Sequence, residues 1–211
     1  TAPEDVVDGY LGLAILSNFL TTLDYPENQL MVEKKEVFQQ AAVKDEAEHS
    51  ILPFRVTESG LISVEVKLED AASCNFLLDS GASSSVLAAE VIDKQNWQNK
   101  ILANESIRIV GAAGIADNVK LAFVHKLLVA DLLRERLRMP ILDFTSINEN
   151  SGFEQQGILG GDFLSNCKLR IDFDRLQISI APTSALKKVS VPIALEAKEL
   201  SCSPASTLRR L

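Results

Sequence analysis

The sequence predicts an all-β fold with one or two short helices, and three observations support this prediction. Residues 61–68 alternate apolar and polar side chains, which is the period of a half-buried strand. The apolar run Phe76–Leu78 predicts a buried strand that ends at Asp79, in a turn of small residues. Residues 157–164 combine apolar residues with three glycines, which predicts a strand end, a glycine turn and a short helix.

The other elements can be placed in chain order around these three. Strands are predicted at residues 51–57, 61–68, 76–78, 107–111, 119–124 and 126–139, the last with a surface loop. A short helix is predicted at 86–97, after the Asp79 turn. Gly111 and Gly114 bracket the tip of a hairpin, where glycine permits positive φ and a mobile turn.

Two segments of the chain, beginning at Gly9 and at Gly157, repeat one another at a constant offset of 148 residues. The identical pairs are Gly9 and Gly157, Leu11 and Leu159, Gly12 and Gly160, Leu16 and Leu164, Ser17 and Ser165, Asn18 and Asn166, Asp24 and Asp172, and Gln29 and Gln177. Each copy predicts a strand end, a glycine turn, a short helix and a second strand closed by a turn. We expect Asp24 and Asp172 to form those turns, and a chance match is the alternative.

The block around Asp79 and the block at 157–164 together resemble the pepsin and retropepsin group of aspartic peptidases. In that group, two apolar residues followed by Asp, Thr or Ser, Gly and Ala form the catalytic loop. The same group has a second signature, in which two apolar residues and Gly are followed by a short helix. Both blocks occur here in that order, about eighty residues apart. The resemblance therefore implies a retropepsin-like acid protease barrel.

The repeat and the resemblance together divide the chain into four parts. Residues 1–35 are expected to be the closing segment of a truncated first lobe, because no Asp-Thr/Ser-Gly loop precedes this copy of the motif. Residues 36–50 carry mixed charges and predict a linker, and residues 51–182 predict a complete retropepsin-like lobe. Residues 183–211 are expected to be a C-terminal tail that frays.

The resemblance also implies a role for each residue of the loop. Asp79 would supply one of two carboxylates that share a proton and activate a water for peptide hydrolysis. Ser80, Gly81 and Ala82 would support it, Ser80 through a hydroxyl bond across the interface and Gly81 through a closely approaching N–H. The flap that closes over bound peptide would consist of Gly111, Ala112, Ala113 and Gly114, with an ordinary hairpin turn as the alternative.

The second carboxylate is the difficulty, because the sequence contains one Asp-Ser-Gly loop. Asp162 is the nearest candidate, but we expect it to satisfy N–H groups at the start of its own helix. Either a symmetric homodimer contributes Asp79 twice, or a first lobe contributes the partner. The leading interpretation is an aspartic endopeptidase that cleaves peptides or unfolded proteins, held as an added strand. The alternative is an inactive retropepsin-fold binding or assembly module.

Composition argues against several other functions. Lys and Arg are scattered in a chain of net charge −8, so nucleic acid is not expected as a partner. No run of eighteen apolar residues occurs, so no membrane-spanning helix is expected. His49 and His125 belong to no zinc or serine-hydrolase constellation, so neither a metal nor another cofactor is expected.

The cysteines and the start of the sequence say little about the compartment. Cys74, Cys167 and Cys202 fit neither a metal-ligand spacing nor a disulfide-rich scaffold. We expect buried thiols, with a Cys74–Cys167 bridge as the alternative. The sequence begins at Thr1 without a signal-like segment, so we expect a processed or partial chain. Its acidic composition slightly favours an exported protein.

Overall fold

The computed structural model describes residues 11–35, 49–70, 73–111, 114–182 and 186–189, and strands dominate this part of the chain. The strands are β1 Phe19–Asp24, β2 Gln29–Lys34, β3 Ser50–Val56, β4 Ile62–Leu68, β5 Ser73–Leu78, β6 Val86–Ala88, β7 Ile101–Gly111, β8 Gly114–Val129, β9 Leu132–Leu142, β10 Gly157–Leu159, β11 Cys167–Asp172, β12 Gln177–Pro182 and β13 Lys187–Lys188. The helices are α1 Leu13–Leu16, α2 Ala89–Lys94, α3 Thr145–Glu149 and α4 Gly161–Leu164, with a 3₁₀ turn at Gln98–Lys100. The all-β prediction is confirmed, although the described residues form four short α-helices rather than one or two.

The strands join in one hydrogen-bonded order, β2-β1-β11-β12-β3-β4-β5-β10-β6-β9-β8-β7, and β13 pairs with β9. An additional antiparallel pairing joins β4 to β8, with Val66 opposite Val129. The strands β4, β5, β10, β6, β9 and β8 therefore close on themselves, and their hydrogen bonds form a barrel.

The barrel encloses the apolar core, and β4 shows how the sequence pattern produces it. Ile62, Val64, Val66 and Leu68 are buried, while the intervening Glu65 and Lys67 are exposed, as the alternation predicts. The exception is Ser63, which is buried and donates a hydrogen bond to Gln155 Oε1 at 2.9 Å. A buried hydroxyl is tolerated there because it has a partner. The fully buried side chains include Phe76, Phe144, Phe163, Leu87, Leu127, Met139 and Leu159.

The predicted repeat is confirmed as a structural repeat. The first copy comprises α1, β1 and β2, and each element begins and ends 148 positions before α4, β11 and β12 of the second copy. The β-turns also match, since Asn28 and Leu176 occupy equivalent positions with φ of 52° and 51°. The copies meet through antiparallel pairing of β1 with β11, in which Thr22 lies opposite Arg170. Because Thr22 and Arg170 are themselves equivalent in the repeat, the pairing is symmetric about this residue pair.

The structure differs from the sequence prediction where long-range pairing decides the conformation. The helix predicted at 86–97 begins only at Ala89, because Val86–Ala88 form β6. That strand is buried between β10 and β9, so pairing on both sides outweighs local propensity. Residues 126–139 form parts of two long strands, β8 and β9, joined at Ala130 with φ of 52°.

The predicted linker and tail are described only in part. Ser50 already belongs to β3, and the described part of the tail contains β13, which pairs with β9. The tail is ordered there because Leu186 is buried against the core. Residues 36–48 and 190–211 lie outside the described residues. Within the described ranges, no helix has both the length and the apolar character needed to cross a membrane.

Candidate active site

The Asp79 loop lies across the end of a short strand buried between two others. β10 runs parallel to β5, with Leu159 opposite Leu78, and antiparallel to β6, with Ile158 opposite Val86. The chain leaves β5 at Leu78, and the Asp79 N–H donates to the Leu159 carbonyl oxygen at 3.1 Å. The end of β10 therefore fixes the backbone of the acidic residue.

Small residues allow the loop to fold tightly around the carboxylate. The Gly81 N–H donates to Asp79 Oδ1 at 2.8 Å, which orients the side chain. A Cβ at Gly81 would lie 3.3 Å from the same oxygen, so a larger residue would crowd it. The Ala82 carbonyl oxygen accepts a hydrogen bond from the Gly161 N–H at 2.8 Å. The loop is thus bonded to the glycine turn that follows β10.

Glycines at 157 and 160 let the turn approach the loop closely. A Cβ at Gly160 would overlap the Ser84 carbonyl group, and a Cβ at Gly157 would overlap Phe76 and the Val86 carbonyl oxygen. Neither glycine has a positive φ, so the close packing, and not the backbone conformation, requires glycine here. These contacts hold the turn beneath the loop, where the resemblance places it.

Asp162 has a structural role, but a different one from that predicted. It does not cap its own helix, since the position before α4 is Gly160 and no side chain caps it. Instead, Asp162 Oδ1 accepts hydrogen bonds from the Ser85 N–H at 2.8 Å and the Ser85 hydroxyl at 2.6 Å. The Ser85 Oγ in turn accepts the Gly160 N–H at 3.1 Å. Asp162 therefore fastens the far end of the Asp79 loop and is not available as a catalytic partner.

The Asp79 carboxylate faces solvent. Asp79, Ser80 and Gly81 are exposed, and Ala82 is half-buried. Among the described residues, Asp79 forms no ion pair, and its Oδ2 accepts no hydrogen bond. The loop thus presents one ordered carboxylate with an open side.

Tyr25, which the sequence analysis missed, lies beside this loop. Its N–H donates to the Cys167 carbonyl oxygen at 3.3 Å, so the first copy brings it to the site. Burial raises the pKa of Tyr25, the neighbouring Asp79 carboxylate raises it further, and the Ser80 hydroxyl acts in the opposite direction. The Tyr25 hydroxyl is buried without a well-formed hydrogen bond to any described residue. Its equivalence to Phe173 was the available signal, but it did not show that the ring would reach Asp79.

The predicted flap lies at the tip of the hairpin formed by β7 and β8. Gly111 pairs with Gly114, which has φ of +114°, while Ala112 and Ala113 lie outside the described residues. Val110 and Ile115, next to the tip, are exposed by 73% and 65%. An Arg108–Asp117 ion pair of 2.5 Å joins the two strands below them. The hairpin thus presents apolar side chains to solvent at its end.

The buried cysteines are not joined. Cys74 and Cys167 form no disulfide, so the alternative of a bridge between them is wrong. Burial raises the pKa of Cys167 to about 12, and it also raises that of Cys74. Cys202 lies outside the described residues. The described ranges contain no group of three or more His, Cys, Asp or Glu side chains that could hold a metal ion.

Comparison with known proteins gives one family match and several structural ones. Residues 64–163, just under half of the chain, match the sequence model of the family described as Aspartyl protease. A retropepsin-like aspartic protease from Rickettsia conorii is 16% identical, with 63% of this chain and 89% of that chain covered and a TM-score of 0.43. An aspartic proteinase from Irpex lacteus is 13% identical, with 80% of this chain and 57% of that chain covered and a TM-score of 0.46. The retroviral protease-like domain of Ddi1 from Leishmania major is 13% identical, with 62% of this chain and 98% of that chain covered and a TM-score of 0.36. No curated protein matches the chain.

Proposed function

We propose that the chain is one lobe of an aspartic endopeptidase, because residues 64–163 match the sequence model of the aspartyl protease family. Asp79 supplies one catalytic carboxylate. The observation that carries the proposal is the bonded loop around Asp79, held by the Leu159 carbonyl and by the Gly81 N–H. This loop orients a carboxylate and leaves it open to solvent, which a purely structural acid does not require.

The chemistry needs a second carboxylate close to Asp79. Two carboxylates at short range cannot both ionise readily, so one stays protonated while the other acts as a base. The ionised member takes a proton from water, and the protonated member polarises the scissile carbonyl. The open side of Asp79 is where the water and the second carboxylate would lie. A second lobe or a second subunit supplies that carboxylate.

The substrate is an extended peptide or a segment of unfolded protein. It would lie beneath the β7–β8 hairpin and bind through backbone hydrogen bonds, as an added strand does. The exposed Val110 and Ile115 near the hairpin tip would then cover the substrate and exclude water. Gly111, Ala112, Ala113 and Gly114 would give the tip the freedom to close.

An inactive binding or assembly module is the second candidate, and one observation favours it. The 211 residues contain one Asp-Ser-Gly loop, and a single carboxylate cannot carry out the two-acid mechanism. Such a module would still bind extended peptide under the hairpin. The two candidates therefore differ in cleavage and not in binding.

Replacing Asp79 separates the two candidates. The purified protein is assayed at acidic pH for cleavage of an unstructured, fluorogenically labelled protein, over a range of enzyme concentrations. We expect Asp79→Asn to lower kcat/KM about 10²- to 10⁴-fold, the range for loss of a general acid or base. Asp143→Asn is the matched control, because Asp143 is also exposed and accepts a backbone N–H two residues later, from Thr145.

The results have distinct meanings. Equal loss in both variants, or unchanged cleavage in Asp79→Asn, would remove Asp79 from the mechanism. Absence of cleavage from the unsubstituted protein at every concentration would exclude the homodimer. Absence of cleavage together with retained binding of the same unstructured protein would favour the binding module instead.

A further inference from the structure

We propose that Tyr25 is a positioning residue for the Asp79 loop, and that its hydroxyl donates a hydrogen bond to the Ser80 hydroxyl when a ligand occupies the open side of Asp79. The contact between Tyr25 and the loop rests on the fold alone, whereas its effect on catalysis rests on the function proposed above. The Tyr25 hydroxyl is buried and Ser80 is exposed, so Tyr25 acts on a ligand through Ser80 and not directly.

The repeat needs an aromatic ring at this position but no hydroxyl. Phe173 is the equivalent residue in the second copy, and its ring packs edge-on against Phe54 with the ring centroids 5.3 Å apart. The rings of Tyr25 and Phe173 are both half-buried, and both pack against the core. The Tyr25 hydroxyl is therefore an addition that the fold of the copy does not require.

The Tyr25 hydroxyl is unfavourable for folding in the free chain. It is buried and has no well-formed hydrogen bond to any described residue. A buried polar group of this kind gives up its hydrogen bonds to water and gains none in return. Groups that a protein keeps at a cost in stability commonly serve a functional site. The candidate site next to this hydroxyl is the Asp79 loop.

The backbone leads the Tyr25 side chain to that loop. The Tyr25 N–H donates to the Cys167 carbonyl oxygen at 3.3 Å, just beyond the end of α4. The other end of α4 is bonded to the Asp79 loop, since the N–H of its first residue donates to a loop carbonyl oxygen at 2.8 Å. The helix has four residues and is therefore only about 6 Å long, a distance that a tyrosine side chain can span. The hydroxyl thus ends beside Asp79 and Ser80.

Ser80 is the acceptor that this arrangement offers. After burial, the largest cause, the pKa of Tyr25 is raised by the charge of Asp79 and lowered by a hydrogen bond with Ser80, while the Cys167 thiol adds a small increase. Asp79 thus acts on Tyr25 through its charge, and Ser80 acts through hydrogen bonding, which requires closer approach. In the free chain the Tyr25–Ser80 contact falls short of a well-formed bond. Hydrogen bonds in functional sites are often long without ligand and shorten when ligand binds.

A Tyr25–Ser80 bond would fix the direction of the Ser80 proton. A serine hydroxyl both donates and accepts, and its proton rotates to suit its partners. When Ser80 Oγ accepts from Tyr25, its own O–H turns away from Tyr25 and towards the open side of Asp79. The function proposed above places the water and the second carboxylate there, and both present oxygen acceptors. Asp79 is already oriented by the Gly81 N–H, so Tyr25 would order the remaining side chain of the loop.

The first test locates the hydroxyl by its own ionisation. The chain contains two tyrosines, so Tyr10→Phe leaves Tyr25 as the only source of the near-ultraviolet absorbance of tyrosinate. In that background we expect the midpoint of the Tyr25 titration to fall in Asp79→Asn and to rise in Ser80→Ala. Ser83→Ala removes the hydroxyl of another exposed serine in the same loop, and it should leave the midpoint unchanged. An unchanged midpoint in either Asp79→Asn or Ser80→Ala would overturn the proposal.

The second test measures the effect on the site. Tyr25→Phe should lower kcat/KM about 3- to 10-fold, which corresponds to the loss of one neutral hydrogen bond. The change should lie in KM rather than kcat, because the bond forms when the ligand binds and persists through the reaction. Added to Ser80→Ala, Tyr25→Phe should change kcat/KM by less than about twofold. Additive losses would show that Tyr25 does not act through Ser80, and a loss of activity that comes with a loss of folding stability would assign the hydroxyl a structural role. Either result would overturn the proposal.

The outcome can be separated from that of the proposed function. Absence of cleavage by the unsubstituted protein would contradict the peptidase and not this inference. The same unstructured protein then serves as a binding probe, and Tyr25→Phe should raise its Kd by the same factor of about 3 to 10. An unchanged Kd would overturn the proposal even if the titration had placed the hydroxyl beside the loop. Absence of both cleavage and binding would overturn it as well, since no ligand would then occupy the open side of Asp79.

Discussion

The two copies of the repeat have the same local structure in different surroundings. Their helices and strands coincide residue for residue at the offset of 148, yet α1 buries none of its side chains whereas α4 buries Phe163 and Leu164. The same turn also forms in both, with positive φ at Asn28 and Leu176. Local sequence therefore decides where the helix and hairpin form, and the barrel decides how much each copy contributes to stability.

The turn aspartates show how local the common signals are. Asp24 Oδ1 accepts the Glu27 N–H at 3.3 Å, and Asp172 Oδ1 accepts the Asp174 N–H at 2.9 Å. Their prediction as turn formers is confirmed. Each bond lies within three residues along the chain, so neither depends on the barrel.

Truncating equivalent side chains in the two copies should give the largest difference. Ile178 is fully buried, so Ile178→Ala leaves a cavity in the core and should lower the free energy of unfolding by about 2–5 kcal/mol. Its equivalent Leu30 is half exposed, so Leu30→Ala should change the free energy of unfolding by less than about 0.5 kcal/mol. Urea titrations followed by circular dichroism would measure both. Equal losses would mean that Leu30 is packed in the folded chain as closely as Ile178.

Adding a methyl group at equivalent glycines should give an intermediate difference. A Cβ at Gly160 would overlap the Ser84 carbonyl group, whereas nothing lies within 4 Å of a Cβ at Gly12. Both glycines have extended backbones that alanine can adopt, so only packing separates them. We expect Gly160→Ala to lower the free energy of unfolding by about 1–3 kcal/mol.

The control for this prediction is Gly12→Ala, which should change stability by less than about 0.5 kcal/mol in the 211-residue chain. Thermal unfolding of the two variants and of the unsubstituted protein measures the difference. A loss in Gly12→Ala as large as that in Gly160→Ala would contradict the difference in packing between the two glycines.

Much of the fold was predictable because its signals are local. The alternation in β4, the apolar run before Asp79 and the repeat each lie within short stretches of sequence. Closure of the barrel through β4 and β8 was not predictable, since Val66 and Val129 meet from distant parts of the chain. The strand at Val86–Ala88 was missed for the same reason, because its partners β9 and β10 are remote in sequence.

The candidate site divides in the same way. The motif pointed to Asp79 and to the small residues after it, and the observed bond from Gly81 is local. Asp162 was expected to act within its own helix, but its partner Ser85 is 77 residues away. Tyr25 is separated from Asp79 in the sequence by the whole of β2 to β5, and the pairing of β1 with β11 brings it there.

Exchanging the one hydroxyl that distinguishes the copies at this position should give the smallest effect. Tyr25 and Phe173 are equivalent, and the Tyr25 hydroxyl is buried without a well-formed hydrogen bond to the described residues. Because a desolvated hydroxyl lacking a good partner is unfavourable, Tyr25→Phe should raise the free energy of unfolding by about 1 kcal/mol or leave it unchanged at neutral pH. A clear loss would show that the hydroxyl has a partner that stabilises the fold.

The pH dependence provides a sharper test of where Tyr25 lies. Burial first, and the Asp79 carboxylate second, raise the pKa of Tyr25 above the ordinary value of 10.0, against the opposing effect of Ser80. The unfolded chain then loses this proton at a lower pH than the folded chain. The contribution to stability is therefore fully present below about pH 10 and is lost as pH rises through the folded pKa.

The free energy of unfolding is measured from about pH 8 to pH 11. It should fall more steeply with rising pH for the unsubstituted protein than for Tyr25→Phe. Asp79→Asn should reduce that difference, because it removes the neighbouring negative charge. A curve for Asp79→Asn as steep as that of the unsubstituted protein would place Tyr25 away from Asp79.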